Sequence, residues 1–83
     1  MLMSLHDPCI EGDISRLKEI LDHQDVDVNT LDEDLRTPLH CASFCGSLEC
    51  VDYLLKQDKI IIDLNDKNGM TPLQLAGNEL KLM

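Results

Sequence analysis

Apolar residues recur along this chain at helical spacing. Leu48, Val51, Leu54 and Leu55 fall at i, i+3, i+6 and i+7, on one face of a helix over about Leu48 to Gln57. Ile14, Leu17, Ile20 and Leu21 show the same spacing. Ahead of the second row, Thr37 is a good N-cap, because its hydroxyl can accept from free backbone N–H groups. Pro38 suits the first helical position, where no donor is needed and φ is preset. A short helix then runs to Gly46, a natural C-terminal residue with positive φ. Asp58 to Gly69 reads as an extended, turn-rich connector, and Thr71-Pro72 opens the cycle again. The unit is helix, turn, helix, connector, and the fold class is all-α.

The chain also repeats itself. Displaced by 34 residues, Leu5-His6 falls on Leu39-His40, Gly12 on Gly46, Leu21 on Leu55 and Asp32 on Asp66. Thr37-Pro38-Leu39 falls on Thr71-Pro72-Leu73, and Ala42 on Ala76. The aliphatic rows follow, with Ile14, Leu17, Ile20 and Leu21 over Leu48, Val51, Leu54 and Leu55, and Val26 and Val28 over Ile60 and Ile62. The identities sit on the punctuating residues, which is where a structural repeat requires them.

The run Thr37-Pro38-Leu39-His40-Cys41-Ala42, followed by Gly46-Ser47-Leu48-Glu49-Cys50-Val51, resembles the ankyrin repeat. That family's pattern is T-P-L-H-x-A, then G-H-x-E-V-V-x-L-L-L, then D-V-N before the next turn. Asp27-Val28-Asn29 matches the last element. The resemblance covers nearly the whole chain. It implies an α-solenoid of stacked helix-turn-helix repeats with turn or hairpin connectors, forming a single module over 1–83. Within it, 1–31 would be a degenerate first repeat, 32–65 a full one and 66–83 a truncated one.

Four departures from the pattern carry expectations. The step of 34 exceeds the family's usual spacing of about 33, so each connector is expected to hold one extra residue. Leu35 stands where the turn usually has Gly, as Gly69 does in the next unit, and a branched side chain resists positive φ. Asp7-Pro8 falls where the opening helix should be under way, so that helix is expected to start late, capped by Asp7. Leu80 stands where Gly should close the last short helix, and the third unit lacks a second helix, leaving Leu73 and Leu75 without cover. A module completed by further repeats or by a second chain is the expectation.

The resemblance further implies a protein-binding scaffold whose turn tips and first-helix faces form a concave surface. By position, the tips are Glu33, Asp34 and Arg36, then Lys67, Asn68 and Met70; the first-helix residues are Ile10 and Glu11, Phe44 and Cys45, and Asn78 with Glu79. Phe44 is the only Phe and fills a slot that repeat packing does not need filled, so it is either a binding anchor or packed on a neighbouring helix. His40, the pattern's histidine, would bridge neighbouring loops by hydrogen bonds rather than catalyse.

Composition narrows the function. The chain has 83 residues, one Phe, one Tyr and no Trp, so its core must be aliphatic. Seven Lys+Arg against sixteen Asp+Glu give a net charge of −9, which disfavours nucleic acid and anionic membrane surfaces. Asp22, Asp25, Asp27, Asp32, Glu33 and Asp34 concentrate that charge, either as a solvated face or as a patch attracting a basic partner. The start of a calcium loop is imitated by Asp25-Val26-Asp27-Val28-Asn29, but Thr30 and Arg36 occupy the places that need Gly and Glu.

Four cysteines admit a disulfide framework, a zinc site using His40, Cys41, Cys45 and Cys50, or plain thiols. Their C-x3-C-x4-C spacing lacks the paired ligands of structural zinc sites, so plain thiols are expected, with Cys50 a small buried hydrophobe. Without a secretory signal or a span-length apolar run, a soluble chain in the cytoplasm or nucleus is expected. No catalytic motif is visible, and neither a metal nor another cofactor is expected. The alternative to a self-contained binding module is a structural fragment of a longer array.

Overall fold

A computed structural model of the chain describes residues 4–23 and 25–77. Among them every regular element is a helix: α1 His6–Glu11, α2 Ile14–His23, α3 Pro38–Cys45, α4 Leu48–Leu55 and α5 Pro72–Ala76. The first helices stack in one layer, with α3 between α1 and α5, while α2 and α4 stack in a second layer behind them. This is the helical solenoid that the repeated pattern implies.

Local chemistry explains the boundaries. The Thr37 hydroxyl accepts from the His40 N–H at 3.2 Å, and the Thr37 N–H donates to His40 Nδ1 at 3.0 Å. This reciprocal cap recurs at α5, where Gln74 takes the histidine's place opposite Thr71. Gly46 ends α3 at φ 69°, a left-handed turn that lets its N–H reach the Ala42 and Ser43 carbonyls. α4 stops at Leu55, short of the expected Gln57. The N–H groups of Lys56 and Gln57 instead bond three residues back, to Tyr53 and Leu54, which tightens the last turn.

The expected late start of α1 is corrected. The helix begins at His6 with Leu5 at its N-cap, and Asp7 and Pro8 lie inside its first turn. Pro8 is tolerated because the first few N–H groups of a helix have no acceptor within it, so its missing donor removes no bond. Ser4, not Asp7, supplies the local acceptor, its hydroxyl taking the His6 N–H at 3.0 Å.

The core is aliphatic. Leu5, Leu17, Ile20, Leu39, Ala42, Val51 and Leu54 are buried, with Val28, Cys9, Cys41, Cys50 and Ala76 filling gaps between them. Burying each Leu or Ile contributes about 1.5–3 kcal/mol of transfer free energy, before chain entropy is subtracted. All four cysteines are free thiols; Cys45 is exposed and the other three are buried. Connectors are pinned to each other as well. Asn29 Nδ2 donates to the Lys59 carbonyl at 2.8 Å, and its Oδ1 accepts from the Ile61 N–H at 2.9 Å.

Candidate functional site

The turn tips are built by two aspartates. Asp32 Oδ1 accepts from the N–H groups of Asp34 and Arg36, each at 2.9 Å, so the chain reverses over Asp32–Arg36. Asp66 Oδ1 accepts from those of Asn68 and Met70 in the same way, each at 2.9 Å. Leu35 adopts φ 61° and Gly69 φ 77°, so the first turn forms despite its branched side chain. Histidines bolt the turns to the preceding helices. His6 Nε2 donates to the Arg36 carbonyl at 2.8 Å, and His40 Nε2 to the Met70 carbonyl at 2.9 Å. A carbonyl can only accept, so the proton must sit on Nε2 in both rings.

Across the turns the side chains interlock. The Lys67 N–H donates to the Asp34 carbonyl at 2.9 Å, and Lys67 Nζ meets Asp34 Oδ1 at 2.7 Å. The Lys67 hydrogen bond, and then its charge, holds the Asp34 carboxyl below its ordinary range, while Asp34 raises Lys67. Arg36 Nε reaches Asp66 Oδ2 at 3.3 Å, and its guanidinium lies 5.8 Å from the centre of the Phe44 ring. Asp66 is held below the usual carboxylate range by the Met70 N–H first, then by the Asn68 N–H and Arg36.

Thus the tips and the α3 face carry two sets of contacts, Asp34 with Lys67, and Arg36 with Asp66 and Phe44. Phe44 is 59% exposed, and so is not packed away on a neighbouring helix. Glu33, Asn68 and Cys45 are exposed, while Met70 is half-buried with its carbonyl engaged by His40. Ile10 holds on α1 the register of Phe44 on α3 and is likewise exposed; beside it Glu11 pairs with Arg16 at 3.5 Å. Asn78 and Glu79 lie outside the described residues.

The acidic run is dispersed. Asp22 accepts from the Tyr53 hydroxyl at 2.8 Å, Asp27 from the Asn29 N–H at 2.9 Å, and Asp32 is spent on its own turn. Asp25 and Glu33 face solvent. Two apolar features stand beside these residues, and only the uncovered Leu73 of the second was expected from the sequence. Leu35 and Leu31 stand exposed near the first tip. An apolar groove of about 350 Å³ runs between α4 and α5, floored by Leu39 and Val51 and edged by Leu55, Ile62 and Leu73. Its signal was present in the aliphatic repeat positions that find no cover.

Among the described residues, the grouping close enough to hold a metal is His6, Asp32 and Cys41, not the four residues weighed from spacing. Its donors are committed elsewhere. Both His6 ring nitrogens are hydrogen-bonded, Asp32 Oδ1 already accepts two N–H groups, and burial pushes the Cys41 thiol up to about 11, so it stays protonated at neutral pH. Burial raises Cys9 and Cys50 as well. No helix of the described residues is long and apolar enough to cross a membrane.

Residues 5–81 match the family described as ankyrin repeats in three copies. The chain belongs to the ankyrin repeat family. It is 37% identical over 65 residues to the 26S proteasome non-ATPase regulatory subunit 10 of Dictyostelium discoideum, covering 78% of this chain and 28% of that protein. It is 44% identical over 52 residues to the ankyrin repeat, PH and SEC7 domain containing protein secG of the same organism, 63% of this chain and 5% of that one. With the human ankyrin repeat domain-containing protein 7 it shares 41% identity over 56 residues, covering 68% of this chain and 22% of that one. The chain therefore spans under a third of the length of these relatives. Ankyrin repeats are in general modules for protein interaction and are generally non-enzymatic.

Proposed function

We propose that this chain is a non-catalytic protein-interaction module. It presents the tips Glu33, Asp34, Arg36, Lys67, Asn68 and Met70, together with the first-helix residues Ile10, Glu11, Phe44 and Cys45, to a protein partner. Its repeats are 1–31, 32–65 and 66–83. The observation that carries the reading is the exposed Phe44 ring beside the Arg36 guanidinium, which Asp66 holds in place. An aromatic anchor and a cation ordered before the partner arrives lose little side-chain entropy on binding. The partner is a protein with a basic surface, since a chain of net charge −9 attracts one and repels acidic ones. Cytoplasm or nucleus is the compartment that goes with free thiols.

Capture from the native cell extract tests the reading, comparing the chain with Phe44→Ala and with Glu33→Lys. Phe44→Ala should leave the thermal melting curve in place and weaken capture of the principal partner by more than about 1 kcal/mol. Glu33→Lys and added salt should each weaken it further. A large drop in melting temperature for Phe44→Ala, or equal capture by all three proteins, would refute the assigned face. A second reading, a segment of a longer repeat array, is favoured by the small share of each relative that the chain spans. There the same face would be one stretch of a wider surface.

A further inference from the structure

Asn68-Gly69 lies in the second turn tip, and both residues are exposed. The Asn68 N–H is held by Asp66 Oδ1 at 2.9 Å, but its carboxamide has no hydrogen-bond partner among the described residues. Gly69 sits at φ 77°, and a Cβ added there would meet nothing within 4 Å. The Gly69 side of this peptide is therefore open, with no side chain to crowd an approach to the Asn68 carboxamide.

The other described asparagines are protected, each in its own way. Asn29 spends both ends of its carboxamide, on the Lys59 carbonyl at 2.8 Å and the Ile61 N–H at 2.9 Å, and the β-branched Thr30 follows it. Asn65 is exposed, but the next residue is the buried Asp66, whose N–H donates to the Met70 carbonyl at 2.8 Å. The Gly69 N–H is bonded too, to the Asp66 carbonyl at 2.9 Å. That bond closes a single surface turn, the kind that opens locally without unfolding the chain.

We propose that Asn68 is a self-modification site, at which the tip converts its own asparagine to aspartate and isoaspartate and thereby loosens the second turn. The Gly69 nitrogen, on losing its proton, attacks Asn68 Cγ. An N–Cγ bond forms, the Cγ–Nδ2 bond breaks, and ammonia leaves with the proton the glycine gave up. A five-membered imide remains. Water then opens the ring. Cleavage of the N–Cγ bond gives aspartate, and cleavage between that nitrogen and the Asn68 α-carbonyl carbon gives isoaspartate. Nothing is oxidised or reduced, and water is the only co-reactant. Ring closure is favoured because nucleophile and electrophile belong to adjacent residues.

The two products act differently on the tip. Aspartate keeps the chain length, so the hydrogen bonds to Asp66 Oδ1 and the His40 bond to the Met70 carbonyl survive. Isoaspartate adds a methylene to the backbone between Asn68 and Gly69. It does so inside the loop that Asp66 Oδ1 closes on the Met70 N–H and His40 Nε2 closes on the Met70 carbonyl, each at 2.9 Å. The chemistry needs only the turn's own atoms, so the inference does not rest on the assignment of this face to a partner.

The test incubates the intact chain under reducing conditions at physiological temperature. Peptide mapping follows, with synthetic aspartate and isoaspartate peptides as chromatographic standards. Conversion at Asn68 should run about tenfold or more faster than at Asn29 or Asn65, and should speed up with pH as the Gly69 nitrogen loses its proton. Gly69→Ala loosens the turn, yet it should slow conversion about tenfold, because a methyl group crowds the attacking nitrogen. Asn68→Asp should barely move the melting curve, whereas the isolated isoaspartate form should melt about 5 °C lower. No conversion at Asn68, equal conversion at Asn29 or Asn65, or an unslowed Gly69→Ala would overturn the inference. So would an isoaspartate form that melts with the unmodified chain.

Discussion

In the turn over Asp32–Arg36 and the turn over Asp66–Met70, one carboxylate oxygen takes two backbone N–H groups at 2.9 Å, and a histidine from the helix before holds the last carbonyl. The two differ at the residue that must turn left-handed, Leu35 in the first and Gly69 in the second. They differ also in cover. His40 is fully buried beneath the second turn, whereas His6 at the first keeps 7% of its surface. A left-handed Leu costs roughly 1–2 kcal/mol. The hydrogen bonds that close the turn contribute about 1 kcal/mol each and outnumber it. A shared polar framework therefore overrides one unfavourable local preference.

The largest expected separation is between the histidines. His40→Ala removes its bonds to Thr37 and Met70 and opens a cavity, so urea unfolding should show a loss of about 3 kcal/mol. His6→Ala should lose about 1–2 kcal/mol, because solvent reaches that joint. Equal losses would break the claim that burial distinguishes the joints. The threonine caps should follow the same order. Thr37→Ala, at a fully buried cap, should lower stability by about 2 kcal/mol, and Thr71→Ala, at a half-buried one, by about 0.5–1 kcal/mol.

Substitutions at the left-handed positions should run in opposite directions. Leu35→Gly should raise stability by about 0.5–1 kcal/mol, since relief of φ outweighs the added unfolded-state entropy. Gly69→Ala should lower it by about 1 kcal/mol through φ alone, because an added Cβ would meet nothing within 4 Å. Identical signs would refute the strain assigned to Leu35.

The smallest effect should appear on the acid side. Asp66 has its folded value depressed, so its contribution is present above the ordinary carboxylate value. It is lost as pH falls through the lower folded one. Asp66→Asn should flatten that part of the stability curve, measured by thermal unfolding at a series of acid pH values; an unchanged slope would assign the loss to other carboxylates. The Lys67–Asp34 pair is too exposed to add a resolvable amount.

Much of the fold was legible because it is set over three or four residues. Thr37, Pro38 and Gly46 mark α3 through capping and backbone geometry. The aliphatic rows find the buried Leu17 and Ile20 of α2 and Val51 and Leu54 of α4. Leu48 and Leu55, expected in the core with them, stand exposed because no described element packs over that edge of α4. Pro8 misled for a local reason, since a proline is harmless in a first turn. The candidate face was readable by register, but the use made of it was not. Arg36 is a strut in the structure, tied to Asp66 30 residues away and set beside Phe44.

By itself the sequence determined the repeat, the class of each element and the aliphatic core, because these follow from periodicity and from bonds between near neighbours. Tertiary structure alone decided that Leu35 turns left-handed, that Asn29 clamps the next connector, and that Ile62 stands uncovered beside Leu73. Each of those outcomes depends on what a neighbouring unit places opposite a residue, and on the stacking of one unit against the next.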